Sequence, residues 1–216
     1  MPGMSEASQG QRLNWLLAEA GLESLEAGVA GKFEEYLALL VRWNARVNLT
    51  AIRDREGILS RHFVESIVCA RALPAGIATL LDFGSGAGFP GIPIALCRPE
   101  IAVTLAESQG KKAAFLREAV RTLGISSTAH SGRAETLARK FDCVTLRAVD
   151  RMEAAVQAAR RLVRSDGWLA MMTTEDEVKR LKGLLVAGMS GWQLQKMPGS
   201  ERRVFALAQV AEIPAP

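Results

Sequence analysis

The sequence predicts an α/β fold, in which a mostly parallel sheet carries helices on both faces and a C-terminal antiparallel hairpin on one edge. Three observations predict this fold. A short strand-like run, Leu80–Phe83, enters a loop with glycine at every second position. Apolar runs and amphipathic helical segments then alternate, which is typical of βαβ units. The last two apolar runs flank the turn Met197–Ser200, as the strands of a hairpin do.

The first third of the chain is predicted to be helical. Apolar residues recur there at the three- and four-residue spacing that places them on one face of a helix. Three such stripes are present: Leu13, Leu16, Leu17 and Ala20; Phe33, Tyr36, Leu37 and Leu40; and Leu59, Phe63, Ile67 and Ala70. We therefore expect an N-terminal helical region, residues 1–75, packed on a second domain, residues 76–212.

The second domain is predicted to alternate between strands and helices. Strands are expected up to Phe83, at Ile101–Ala106, near Thr128–His130, and at Cys143–Leu146, Trp168–Met172, Trp192–Lys196 and Val204–Gln209. Helices are expected from Pro90, at Lys111–Leu123, from Arg133, at Met152–Arg164 and at Glu177–Ala187. The segment Ser165–Gly167 is predicted to close the helix that begins at Met152.

The loop after the first strand is predicted to hold a cofactor against bare main chain. It contains Gly84, Gly86 and Gly88, and glycine permits both positive φ and the close approach of a ligand. Phe89 stands where the dinucleotide fingerprint has its third glycine, and no Gly-Lys-Ser/Thr follows to hold phosphate. These features favour S-adenosylmethionine (SAM), which has no phosphate. A tight strand-to-helix turn that binds nothing is the alternative.

Glu107 is the candidate partner for the ribose of this cofactor. It ends the next apolar run, about 20 residues beyond the glycine loop, where an acid can accept hydrogen bonds from ribose hydroxyls. The alternative interpretation is a solvated acid in a loop.

Composition restricts the classes of function. With 216 residues, of which 49% are hydrophobic, the chain can bury a substantial core. No apolar stretch approaches about 18 residues, so no membrane contact is expected. The three separated cysteines, Cys69, Cys97 and Cys143, fit neither a disulfide framework nor a zinc site and suit the cytoplasm. The net charge of +4 is compatible with a polyanionic partner, and no metal is expected.

The residues after the strand Cys143–Leu146 bear on the methyl acceptor. They lack the Asn-Pro-Pro-Tyr type motif of exocyclic-amine methyltransferases and a Pro-Cys nucleophile. An acceptor with a free lone pair, such as guanine N7, needs alignment in a dry, polar site. Arg147, at a strand end, is a candidate for holding phosphate or the O6/N7 edge of guanine. Arg133 and Arg202 are further candidates, for which a solvated surface charge is the alternative.

Several motifs together resemble a known family. They are Trp43–Thr50, Arg61–Ser66, Asp82–Pro93, Arg98–Glu100, Glu107–Ser108 with Lys111–Lys112 and Phe115–Leu116, and Arg147–Ala148. From Gln11 to Leu207 the chain is thereby similar to bacterial 16S rRNA guanine-N7 methyltransferases of the glucose-inhibited division protein B family. The resemblance implies a Rossmann-like, SAM-dependent methyltransferase that modifies N7 of one guanine in the decoding-region loop of 16S rRNA.

The resemblance also implies roles for individual residues. Gly84 and Phe89 would contact SAM, Glu107 the ribose, and Ala134–Glu135 the adenine region. Three arginines are the catalytic candidates: Arg147 would lie close to SAM and RNA, and Arg133 and Arg202 would help to bind RNA or SAM. His62 and Asn48 belong to the signature of the helical region. The expected partner is 16S rRNA, the small ribosomal subunit or an assembly particle, bound by a cytoplasmic monomer.

Two other functions remain open at this point. A small-molecule methyltransferase of the same fold would carry an apolar insertion over its pocket, and the chain has no obvious one. An rRNA-binding protein with weakened catalysis is allowed by Thr173-Thr174, which stands where the family usually has Lys-Gly.

Overall fold

A computed structural model describes residues 8–149, 151–182 and 189–211, and its centre is one seven-stranded sheet. The strands are β1 (Thr79–Phe83), β2 (Ala102–Glu107), β3 (Thr128–Ser131), β4 (Phe141–Arg147), β5 (Val163–Thr174), β6 (Gln193–Lys196) and β7 (Arg203–Gln209). Their order in the sheet is β3-β2-β1-β4-β5-β7-β6. The first five strands are parallel, and β7 pairs antiparallel with both β5 and β6. The predicted parallel sheet and edge hairpin are confirmed.

Helices cover both faces of this sheet. They are α1 (Gln9–Glu19), α2 (Ala27–Asn44), α3 (Arg55–Gly57), a π-helical segment (Ile58–Val64), α4 (Glu65–Ala72), α5 (Gly91–Cys97), α6 (Gly110–Leu123), a 3-10 turn (Ala134–Thr136), α7 (Met152–Leu162) and α8 (Glu175–Lys182). The chain therefore crosses from each parallel strand to the next through helical or turn segments, as the alternating pattern predicts.

Alternating residues of each central strand enter different hydrophobic clusters. Leu80 of β1 and Cys143 of β4 pack with the N-terminal helices, α5 and α6. Leu81 and Val144, the next residue on each strand, pack with α7 and α8 on the opposite face. Both faces of the sheet are thus buried. This explains why the parallel strands have continuous apolar sequences instead of alternating apolar and polar residues.

The N-terminal helices reach into the glycine loop. Tyr36 of α2 is fully buried, and its hydroxyl donates a hydrogen bond to the carbonyl oxygen of Ala87 at 2.6 Å. Its ring stacks on Phe63 of the π-helical segment, with ring centroids 5.2 Å apart, and lies 5.5 Å from the Phe89 ring. The helical region therefore supports the loop directly, because a buried tyrosine hydroxyl needs such an acceptor.

Three boundaries differ from the sequence predictions. The segment after Arg133 forms only one 3-10 turn, because β4 starts at Phe141 and leaves no room for a helix. The helix predicted to end at Arg164 ends at Leu162, and β5 begins at Val163. The predicted turn at Ser165–Gly167 is an irregularity inside β5, where the pairing with β4 shifts register. Of the helix predicted at Glu177–Ala187, residues 183–187 lie outside the described residues.

Candidate cofactor and acceptor site

The glycine loop at the carboxyl end of β1 has the backbone that its sequence predicts. Gly84, Gly86 and Gly88 have φ values of +71°, +55° and +92°, which L side chains rarely adopt. A Cβ on Gly88 would collide with Ile92 and the Tyr36 hydroxyl. Among the described residues, a Cβ on Gly86 would meet only the Gly84 carbonyl oxygen, at 3.9 Å. Gly86 therefore faces open space, as a position reserved for a ligand should.

Asp82, on β1 just before this loop, holds the loop in place through hydrogen bonds. It is fully buried and accepts hydrogen bonds from the Gly91 amide at 3.2 Å and the Thr145 hydroxyl at 2.9 Å. These bonds tie β1 to the start of α5 and to β4. Burial raises the pKa of Asp82 to about 6, although both hydrogen bonds favour the charged form. Asp82 is a supporting residue that the sequence patterns did not single out.

Glu107 lies against the glycine loop at the end of β2. It is buried, and its Oε2 accepts a hydrogen bond from the Gly86 amide at 2.9 Å. Its Oε1 accepts a hydrogen bond from the Gln109 amide at 2.7 Å. A carboxylate has about four lone-pair sites, so capacity remains for hydroxyl donors. The solvated-acid alternative does not fit this buried position.

The segment after β3 completes this side of the site. The Gly132 amide donates a hydrogen bond to the Glu107 carbonyl oxygen at 3.0 Å, which brings the following turn to the end of β2. Ala134 is buried, whereas Arg133 and Glu135 are exposed. The structure therefore collects the predicted cofactor residues at the ends of β1, β2 and β3, next to the point where the strand order reverses.

Arg147, at the end of β4, faces this loop across Phe89. Its guanidinium carbon lies 5.7 Å from the Phe89 ring centre. Its Nη2 donates to His62 Nδ1 at 3.0 Å and to the Arg61 carbonyl oxygen at 3.1 Å. The adjacent Ala148 has a φ of +48°, a strained conformation of the kind that concentrates at functional sites.

Both ring nitrogens of His62 have hydrogen-bond partners, and the ring is also part of the candidate site. A guanidinium has no acceptor, so Nδ1 must accept from Arg147, and the ring proton must lie on Nε2, 2.7 Å from the Thr50 hydroxyl. The imidazole stacks on Phe89 with ring centroids 4.6 Å apart. Burial and the charges of Arg147 and Arg61 lower the pKa of His62 to about 3. The ring is therefore neutral throughout the physiological range.

Glu65, on α4, joins three arginines. Its Oε2 lies 3.2 Å from Arg147 Nη2, and its Oε1 lies 2.7 Å from Arg203 Nε and 3.4 Å from Arg61 Nε. These four residues line a cavity of about 340 Å³ at the ends of β4 and β5 and the start of β7. Its apolar wall includes Met152, Met172 and Met197. A cavity of this size and lining is typical of small-ligand sites.

Arg202 and Arg203 point in different directions, because successive residues at a strand face opposite sides. Arg203 reaches Glu65, whereas Arg202 is mostly exposed and binds Asp176 at 3.1 Å. Thr173 and Thr174 line the cavity at the end of β5, and Arg203 pairs directly with Thr174 in the sheet register. The positive charge at this end of β5 is thus supplied by Arg203 of β7 and not by a residue of β5 itself.

Comparisons with known proteins agree with this architecture. A model of the family described as rRNA small subunit methyltransferase G (GidB) matches residues 30–202. The chain belongs to this family. A Stenotrophomonas maltophilia relative named ribosomal RNA small subunit methyltransferase G is 40% identical over 83% of this chain and 84% of its own length. A Roseiflexus relative of the same name is 46% identical, over 63% of this chain and 61% of the relative.

Solved structures share the fold. An O-methyltransferase from Bacillus cereus in complex with SAH aligns with a TM-score of 0.58 and 17% identity, over 82% of this chain and 90% of that one. A cofactor-bound protein from MTB aligns with a TM-score of 0.58 and 20% identity, over 97% of this chain and 100% of that one. At such identities these likenesses concern the fold alone.

The fold and family membership confirm the predicted Rossmann-like methyltransferase fold, the family resemblance, the rRNA methyltransferase class and SAM as its cofactor. Within residues 8–149, 151–182 and 189–211, no group of three or more His, Cys, Asp or Glu residues could hold a metal ion. In the same part of the chain, no helix is long and apolar enough to cross a membrane.

Proposed function

We propose that this GidB-family protein transfers a methyl group from SAM to N7 of one guanine in the decoding-region loop of 16S rRNA. The proposal rests on one observation about the cavity around Glu65, which we take as the acceptor site. Its described lining contains no free base. His62 Nδ1 and the Glu65 carboxylate are the basic groups in that lining, and both already accept hydrogen bonds from Arg147.

This lining suits an acceptor nitrogen that has no proton to lose. When bound, SAM supplies an electrophilic methyl group on a sulfonium centre. Guanine N7 carries an in-plane lone pair, so the protein needs only to align it and to exclude water. A hydroxyl or exocyclic amine would have to lose a proton, and the described lining residues offer no free group to receive it. The geometry therefore favours N7 over acceptors of those two kinds.

The residues at the ends of β1 to β3 fit the cofactor. We assign Gly84, Gly86, Gly88 and Phe89 to contact with SAM, because the open space at Gly86 admits a ligand against main chain. Glu107 would accept hydrogen bonds from the ribose hydroxyls, and Ala134–Glu135 would flank the adenine. Arg147 would contact both SAM and the acceptor.

Arg133 and Arg202 are exposed on either side of this edge, where they can meet RNA phosphates. We propose that they bind RNA rather than the reacting atoms. The substrate is naked 16S rRNA, the small ribosomal subunit or an assembly particle, and bacterial ribosomal RNA would place the protein in the cytoplasm. We further propose a monomer with residues 1–75 as a helical region and residues 76–212 as the methyltransferase domain.

Mass spectrometry of 16S rRNA fragments tests the proposed reaction. RNA from a deletion strain should lack one methyl group on a guanine of the decoding-region loop, and the purified protein with SAM should restore it. Chemical cleavage that is specific for N7-methylguanosine should locate the methyl group on N7. Full methylation in the deletion strain, or a restored methyl group on another atom, would contradict the proposal.

A further inference from the structure

The three arginines around Glu65 differ in how far their side chains are exposed to solvent. The side chain of Glu65 is only 3% exposed, and that of Arg147 is 13% exposed. Arg203 is 27% exposed and Arg61 is 46% exposed, although each binds the same carboxylate. The cavity therefore has a deep arginine beside Phe89 and two shallower arginines at its mouth.

These charges do not balance. Three guanidinium groups share one carboxylate, which leaves an excess of two positive charges around the cavity. Arg203 binds Glu65 through Nε, and within the described residues its two Nη atoms have no hydrogen-bond partner. A mouth with unused guanidinium donors and excess positive charge is suited to a phosphate group.

The interior of the cavity suits a base instead. Met152, Met172 and Met197 supply a polarisable apolar wall that can adapt to a flat ring. Methylation of N7 places a positive charge on the guanine ring, so additional arginines in contact with the ring would oppose the reaction. Arginines at the mouth avoid this cost when a phosphate lies between them.

We propose that this cavity binds a single nucleotide extruded from the RNA, with its base inside beside Arg147 and an adjacent phosphate held at the mouth by Arg61 and Arg203. The inference rests on the proposed function and adds the partners of the phosphate. Enzymes that modify a base draw it out of its stack into such a pocket. Glu65 is the positioning residue, because it fixes both mouth arginines to α4.

Replacement of one phosphate by a neutral methylphosphonate tests the contact. Two RNA substrates carry this group on the 5′ or on the 3′ side of the target guanosine. One of them should lower kcat/KM of the wild type about 10- to 100-fold, the loss expected for a charged hydrogen bond. Arg203→Met should lose a similar factor on unmodified RNA and little more on the modified one. SAM affinity, measured by calorimetry, should stay unchanged.

Two further variants make the result decisive. Arg61→Met should behave like Arg203→Met, and it leaves Glu65 paired with two arginines, so the fold should tolerate it. Arg164→Met is the matched control, because Arg164 is exposed and binds Asp142 at the opposite edge of the sheet. It should keep the wild-type response to the methylphosphonate. Thermal unfolding verifies that each variant is folded.

Distinct outcomes separate the two proposals. If neither methylphosphonate affects the wild type, or if Arg203→Met and Arg61→Met keep its full effect, the phosphate site is wrong while the proposed reaction stands. If the wild type fails to methylate guanine both in the unmodified RNA and in small subunits assembled from it, the proposed function fails and this inference fails with it.

Discussion

On the β1 side of the sheet's carboxyl edge, the groups that face the proposed cofactor are main-chain atoms of the Gly84–Phe89 loop and one carboxylate, Glu107. On the β4 side, the groups that face the proposed acceptor are side chains: arginines, a neutral histidine and methionines. Close approach to main chain selects a ligand by shape, whereas guanidinium groups select by charge. Substitutions on the two sides should therefore affect different binding steps.

The two sides also differ in how they are held. Tyr36, Asp82 and Ser85 fix the glycine loop through hydrogen bonds to or beside its backbone. The acceptor side is held by Glu65, whose single carboxylate orients side chains from three separate elements. A backbone site tolerates few substitutions, whereas a side-chain site can be altered one contact at a time.

Gly86→Leu should give the largest effect. The new side chain would occupy the open space proposed for SAM, so SAM affinity should fall roughly 100-fold or more, which corresponds to at least about 2.8 kcal/mol. Gly124→Leu is the matched control, because Gly124 has a similar φ of +58° and open space at the end of α6. Calorimetry should show wild-type SAM affinity for the control. Equal affinities in the two variants would contradict the loop assignment.

Arg147→Ala should give the next largest effect. We expect the methyl-transfer rate to fall about 100- to 1,000-fold, as when an aligned donor is removed from an active site. Stability should change less, because Glu65 keeps Arg61 and Arg203 as partners. Single-turnover kinetics and thermal unfolding provide the comparison. A loss of stability as large in free energy as the loss of rate would indicate a purely structural arginine.

Glu107→Gln should weaken SAM binding more moderately. The amide keeps one acceptor oxygen for the loop but loses the charge, so about a 10-fold loss of SAM affinity is expected. The KM for RNA should not change, because Glu107 lies on the β1 side. Glu100→Gln, at an exposed acid, is the control. A higher KM for RNA with unchanged SAM affinity would reverse the assignment of the two sides.

Substitution of Asp82 should have the smallest effect on function. Asp82 should, however, make the stability of the wild type depend measurably on pH. Burial raises its pKa from 3.8 to about 6, so the folded state favours the neutral acid. The resulting stabilisation is fully present below pH 3.8 and is lost as the pH rises through 6, by roughly 1–3 kcal/mol.

Asp82→Asn should remove this part of the pH dependence. Denaturant unfolding of both proteins at several pH values between 4 and 8 provides the measurement. SAM affinity at neutral pH should change little, because Asp82 lies beneath the loop. Identical pH profiles for the wild type and the variant would show that Asp82 does not titrate in this range.

The sequence predicted the cofactor side better than the acceptor side. Glycines with positive φ and an acid at a strand end are local features. The sequence spacing between Gly88 and Glu107 indicates that the two features belong to one cofactor site. The acceptor side depends on contacts between residues far apart in sequence, such as Glu65 with Arg203. The Arg61–Ser66 motif was recognised through its resemblance, but no local pattern reveals which arginines bind its glutamate.

The remaining differences also have physical causes. Whether Arg202 or Arg203 faces the cavity depends on the strand register, and a shift of one residue exchanges them. The π-helical segment was not predicted, because the spacing of Leu59, Phe63 and Ile67 fits an ordinary helix equally well. The long β5 was not predicted because its irregularity at Ser165–Gly167 resembles a helix end in sequence.

A crystal structure of the protein with SAM tests the division of the site most directly. The ribose hydroxyls should lie within hydrogen-bond distance of Glu107, with the cofactor against Gly84 and Gly86 and its methyl group directed toward the cavity beside Arg147. SAM bound elsewhere, or a methyl group that faces away from that cavity, would contradict the account.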